Sequence, residues 1–115
     1  MNASTIDAAT FTELQESAGA DFVAELVDTF LEETPALLDE LQSARQHGDA
    51  DGFRRAAHSI KSNSQTFGAL ALGALARDIE LQGLHPDMAV DLHAIAALQA
   101  AYADAAAALK ELRDV

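Results

Sequence analysis

Leu92, Ile95, Leu98, Tyr102, Ala105, Leu109 and Leu112 recur at steps of three and four residues, and nowhere does the chain alternate apolar and polar residues as a strand would. That spacing is the seam of helices packed at a shallow angle. It predicts a long helix over about Asp87 to Arg113, with Lys110 and Arg113 complementing the dipole at its end. The alanine-rich stretch from Ala100 to Ala108 is flanked by leucines in phase, so it reads as close helix packing.

The preceding segments follow the same period. Ile6 to Ala18 carries Ile6, Phe11, Leu14 and Ala18 and ends at Gly19, a short helix placed as a lid. Asp21 is positioned to cap a second helix over about Phe22 to Gln46. Its stripe is Phe22, Leu26, Phe30, Leu37, Leu41 and Ala44, widened by Val23, Val27, Leu31 and Leu38. Pro35 interrupts the stripe without shifting its phase, which predicts one kinked helix, ended by Gly48. A third helix runs from about Ala50, capped by Asp49, to Phe67, with Gly68 closing it. A fourth spans about Leu70 to Gln82, with Leu70, Leu72, Leu75 and Ile79 turned inward, and Gly83 to Asp87 forms the turn to the last. Short turns between long amphipathic helices make neighbours antiparallel. The expected fold is all-α: an up-down-up-down four-helix bundle over about residues 21–113, with a short extra N-terminal helix at about 6–18, in one domain of 115 residues.

Charge and composition exclude several classes of function. A net charge of −12 argues against nucleic acid or anionic lipid as partner. The absence of cysteine removes disulfides, thiolate nucleophiles and cysteine-bound metals. Neither Glu-x-x-His nor His-x-x-x-His occurs, so no metal site is expected. The glycines sit singly at helix ends and form no phosphate-binding loop. The apolar runs are short for a bilayer span, and Met1 to Thr5 has neither the basic residues nor the apolar core of a signal peptide. A cytoplasmic protein with no membrane partner is expected.

The charges are unevenly spread. All 19 acidic residues lie outside the window from Gly52 to Arg77, which holds Arg54, Arg55, Lys61 and Arg77. Chance clustering in a short helix is the plain reading of this basic island. Its coincidence with His58 gives another. With Ile60 at the centre of the buried face and about 100° per residue, Phe53, Ala56, Ala57, Ser64 and Phe67 fall within about 60° of it, and His58 about 160° away. Asp51, Arg54, Arg55, Ser62 and Gln65 share the histidine's side, with Lys61 on its flank and Asn63 near the edge of the buried face. A neutral imidazole is a nucleophile at physiological pH, and a phosphoryl group placed on it brings about two negative charges. Lys61 at i+3 and Ser62 at i+4 stand where an ammonium and a hydroxyl meet such oxygens, and no carboxylate lies within one turn in sequence. His85 and His93 lack such company, and His47 reads as a helix-end residue bonding the last carbonyls.

Gly48-Asp49, Arg55-Ala56-Ala57-His58-Ser59-Ile60-Lys61-Ser62, Phe67-Gly68-Ala69 and Leu75 to Glu80 together resemble the histidine-containing phosphotransfer (HPt) domains of two-component phosphorelays. Phe30-Leu31-Glu32-Glu33-Thr34-Pro35 extends the likeness, which covers about Phe22 to Gly83 well. The resemblance implies a phosphocarrier, not an enzyme, phosphorylated on Nε2 of His58, with Lys61 and Ser62 stabilising the phosphoryl group. It further implies docking to response-regulator receiver domains, and to a hybrid histidine kinase, through the second and third helices, with Arg54, Arg55 and Gln65 at the contact. No cofactor of its own is implied; the magnesium ion belongs to the receiver. Ser62 stands where the family most often has glycine, and Asn63 where a small residue is usual. The dimerisation and phosphoacceptor domain of a histidine kinase fits less well, because it resembles His-Glu/Asp-x-x-Thr/Asn-Pro, whereas Ser59 and Asn63 stand here. It also needs two chains to complete four helices, and the carrier should be a monomer. An inert helical adaptor is the third reading, disfavoured by the intact His58 and Lys61.

Overall fold

The computed structural model describes residues 5–114; Met1 to Ser4 and Val115, which the sequence expectations include, lie outside the described residues. Five helices follow one another: α1 (Ala8–Ala18), α2 (Ala20–His47), α3 (Ala50–Thr66), α4 (Leu70–Gln82) and α5 (Met88–Arg113). α2 packs on α3, α3 on α4, α4 on α5, and α5 closes the ring on α2. Side-chain pairs fix the directions: Arg45 with Asp91 and Asp28 with Arg113 set α2 against α5, and His58 with Glu80 sets α3 against α4. The fold is therefore the expected antiparallel up-down-up-down bundle with a short N-terminal helix. Phe53, Leu41, Ile60, Leu72, Ile95, Leu98 and Leu109 are its fully buried centre.

α1 is tied to the bundle at its N-terminal end. Asp7 caps it, accepting from the Thr10 amide at 3.1 Å and the Thr10 hydroxyl at 2.6 Å. Ile6 before the cap and Phe11 in the first turn are both buried, at the spacing of a hydrophobic staple. The Asp7 amide donates to the Gly68 carbonyl at 2.8 Å, anchoring α1 to the α3–α4 turn. Gly68 has φ +79, and a Cβ there would lie 2.9 Å from Thr10 Cβ and 3.0 Å from the Asp7 carbonyl oxygen. The position thus requires glycine for conformation and for space.

α2 runs unbroken through Pro35. Proline has no N–H, so the Leu31 carbonyl loses its helical donor. Tyr102 of α5 replaces it, its hydroxyl donating to the Leu31 oxygen at 3.3 Å. Phe30, one residue earlier, packs edge-on against Phe67 and tilted against Tyr102, at centroid distances of 5.3 and 5.8 Å.

Several expected facings are corrected. The α2 stripe is Val23, Val27, Phe30, Thr34, Leu38, Leu41 and Ala44, while Phe22 is exposed. Gly19 stands at the N-cap of α2, which places Asp21 in the first turn, where it complements the dipole and does not cap. Leu70 is exposed, and α4 turns Leu72, Gly73, Ala76 and Ile79 inward. In α5 the first inward residue is Asp91, and Leu92 and Leu112 are exposed. The buried Asp91 carboxylate is held by Arg45 at 2.9 Å and by the His85 amide at 2.9 Å. Met88–Arg113 also proves long and apolar enough, by length and composition, to cross a membrane, which the short-run expectation missed. Alanine supplies that hydropathy, and the helix packs Ile95, Leu98 and Leu109 into the bundle core.

Candidate functional site

The site is built at the seam of α3 and α4. Asp49 starts α3 by accepting from the Gly52 amide at 3.0 Å. Phe53, Ala57 and Ile60 are fully buried, which turns His58 outward, its side chain 56 % exposed. The Gly68 turn reverses the chain, and α4 returns antiparallel with Gly73 beside Ser64 and Lys61. Roughly equal steps along both helices from that turn bring Glu80 opposite His58.

Glu80 bridges two α3 side chains. Its Oε2 lies 2.8 Å from His58 Nδ1 and its Oε1 lies 2.8 Å from Lys61 Nζ. The Lys61 ammonium, helped by the hydrogen bond to His58, holds the Glu80 carboxyl below the usual carboxylate range against the opposing effect of desolvation. An ionised carboxylate only accepts, so His58 Nδ1 carries the proton and donates. Nε2 is then the nitrogen with the free lone pair, and among the described residues no protein group hydrogen-bonds it. The Nδ1 contact thus orients the ring of a side chain that is 56 % exposed and leaves Nε2 as its unpartnered nitrogen.

The other residues singled out in the sequence occupy different surroundings. Lys61 is committed to Glu80 and 22 % exposed. Ser62 is exposed, and its side chain makes no hydrogen bond among the described residues. Asn63 is half-buried, and its side chain likewise has none. Gln65 is exposed on α3 and lies over Gly73, its Cγ 3.4 Å from where a Cβ would stand. Arg54 lays its guanidinium across Gly83. Arg55 lines a groove of about 600 Å³ between α2 and α3, whose floor includes Leu37, Ala44 and Ala56 and whose rim includes Glu40, His47 and Ser59. His47 donates from Nδ1 to the Ser43 carbonyl at 2.7 Å, as a helix-end histidine. His85 Nδ1 accepts from the Asp87 amide at 2.9 Å in the α4–α5 turn. No cluster of three metal-ligating side chains occurs among the described residues.

Glu80 is the site residue that sequence reasoning did not single out. Its signal was present: an antiparallel α3–α4 hairpin reversed at Gly68 places it across from His58. The acid-free window concealed it, because the neighbouring carboxylate comes from the next helix.

An exposed histidine paired with a carboxylate thus stands on the second helix of an antiparallel four-helix ring. The Hpt domain family matches residues 25–108, and the chain belongs to that family. Among solved structures it is similar to histidine-containing phosphotransfer protein B (HptB) from Pseudomonas aeruginosa PAO1, with a TM-score of 0.84 and 27 % sequence identity over 98 % of this chain and 97 % of that one. No curated protein gives a significant match. A role in histidine phosphotransfer within two-component phosphorelays follows from this membership.

Proposed function

We propose that the whole chain acts as one phosphorelay intermediate, taking a phosphoryl group on Nε2 of His58 and passing it to a receiver aspartate. The donor is a receiver-domain phospho-aspartate or a kinase, a hybrid histidine kinase being the expected source upstream. In the accepting step the Nε2 lone pair forms a bond to phosphorus as the acyl phosphate P–O bond breaks, and the aspartate leaves as carboxylate. The Nδ1–H keeps donating to the Glu80 carboxylate, whose negative charge offsets the positive charge that develops on the imidazole. The observation that carries the reading is the Nδ1–Glu80 hydrogen bond, which orients the ring and leaves Nε2 without a hydrogen-bond partner among the described residues, on an exposed side chain.

Phosphoryl transfer needs positioning and charge stabilisation above all, and the partner's magnesium ion supplies much of the second. The carrier then needs no cofactor. Lys61 contributes by keeping Glu80 ionised and placed, and Ser62 leaves room and a hydroxyl on the exposed side. Receivers dock on α2 and α3 beside the histidine, over the groove that Arg55 lines, with Arg54 and Gln65 on the flank. A single chain completes the four-helix ring, which supports a monomer. A cytoplasmic location fits receiver partners.

The test is transfer of labelled phosphate from a phosphorylated receiver. Wild type should be labelled and His58→Gln should not; label persisting in the variant on another residue sinks the assignment. Light scattering should give the mass of one chain.

A further inference from the structure

Three cations lie within a turn of His58 on α3, and the structure separates their duties. Lys61 sits on the Nδ1 side, its charge matched by Glu80 at 2.8 Å. Arg55 faces α2 and the groove. Arg54, one turn before His58 on the same face, reaches α4 as His58 does. An ideal Cβ on Gly83 would lie 3.0 Å from both Nε and Nη2 of Arg54. Gly83 is buried, and it follows Glu80 by three residues. The α3–α4 seam therefore carries two successive rungs, Arg54 on Gly83 and His58 on Glu80, about one helical turn or 5.4 Å apart.

The first rung leaves a charge unspent. Among the described residues no carboxylate lies within ion-pair distance of Arg54. Its guanidinium rests at the C-terminal end of α4, where the helix dipole favours a cation. A side chain at Gly83 would push it off that seat. Guanidinium donors match the oxygens of a phosphoryl group as a fork, which an ammonium cannot do.

Resting on the reading of His58 Nε2 as the acceptor, we infer that Arg54, seated on Gly83, binds the phosphoryl oxygens of the phosphorylated histidine. Lys61 is then a positioning residue acting through Glu80. This reverses the weight given to the two cations by sequence spacing alone.

Phosphoramidate tests the inference without any partner protein. Nε2 of His58 forms the bond to phosphorus, the P–N bond of phosphoramidate breaks, and the nitrogen leaves with an added proton as ammonia. Phosphorus NMR then follows loss of the phosphohistidine, and the Nε–Hε signal of Arg54, assigned through Arg54→Lys, is read before and after loading. The signal should move on phosphorylation. Arg54→Gln should lose phosphate about three- to tenfold faster, the span of one exposed charge-assisted contact, with Arg54→Lys between. Arg77→Gln removes the same charge from α4 and should leave the rate unchanged. An Arg54 signal that stays put in the loaded wild type, or an Arg54→Gln rate equal to wild type, overturns the inference. Label surviving in His58→Gln overturns instead the acceptor assignment beneath it.

Discussion

The contact between Tyr102 and Leu31 should exist because Pro35 does, and a double-mutant cycle can test that dependence. Pro35 leaves the Leu31 carbonyl without an N–H, and the Tyr102 hydroxyl donates to it at 3.3 Å from a part-buried position. Tyr102→Phe keeps the ring against Phe30 and removes only that donor. A net hydrogen bond is worth about 0.5–1.5 kcal/mol, and stranding a buried acceptor costs about 1–3 kcal/mol. The bond is long and only partly buried, so about 1 kcal/mol is the expected loss. In a Pro35→Ala background the amide restored at that position serves the same carbonyl, and Tyr102→Phe should then cost only about 0.3 kcal/mol. The coupling is therefore about 0.7 kcal/mol, above the scatter of about 0.3–0.5 kcal/mol for independent sites. Urea unfolding of the four proteins by far-ultraviolet circular dichroism measures it. Equal costs in the two backgrounds would refute the claim that the tyrosine replaces the missing helical bond. Burial also pushes the Tyr102 hydroxyl above its ordinary pKa, so the stability tied to its neutral form is present at neutral pH and is lost as pH rises through the raised folded-state value.

Further outcomes are expected at three residues. Glu80→Gln should slow phosphoramidate labelling of His58 about tenfold, the low end for removing the partner that orients a functional histidine; an unchanged initial rate would leave Glu80 a bystander. Because Glu80 is held below the usual carboxylate range, its contribution is present above that range and is lost as pH falls through the depressed folded-state value. Wild-type and Glu80→Gln urea midpoints should accordingly converge in acid, and parallel curves throughout would contradict the bridge. Thr34 is fully buried with an unpaired hydroxyl, so Thr34→Val should stabilise by about 1 kcal/mol, or roughly 4 °C in Tm by calorimetry. Gly68→Ala meets both a positive φ and the α1 anchor, and should cost at least about 2 kcal/mol in the same unfolding assay.

Helix number and order were legible because glycine and aspartate punctuate this chain: Asp49 caps α3 and Gly48 and Gly83 end two helices as expected, whereas the caps Asp7 and Asp87 were not read and Asp21 does not cap. Facing was less legible where a single residue's chemistry misled the phase. Phe22 drew the α2 stripe toward itself, yet the buried row passes through Thr34, which that stripe omits, and leaves Phe22 in water. In α5, hydropathy alone turns Leu92 inward and leaves its neighbour Asp91 to the water. Arg45, a distant residue on another helix, reverses the pair by neutralising the aspartate where it is buried. Side-chain period cannot report such a partner. The exposure of His58 was legible for the opposite reason: Phe53, Ala57 and Ile60 define the α3 core face without competition.

The chemistry of the site follows from the register of one hairpin. His58 alone is an exposed imidazole with two tautomers and free rotation, and nothing on α3 chooses between its nitrogens. Glu80 makes that choice, and it stands opposite His58 only because α4 starts at the residue and angle that the Gly68 turn allows. The same turn accepts the Asp7 amide, so α1 braces the register from outside the bundle. Lys61 and Arg54 then divide according to which α4 residue each meets: a carboxylate for one, a bare glycine for the other. A charge paired with Glu80 fixes the ring, and a charge resting on Gly83 remains available to an incoming anion. The sequence spacing His-x-x-Lys suggests that the lysine meets the phosphate; the proposal that the arginine one turn earlier does so rests on which α4 residue each cation meets.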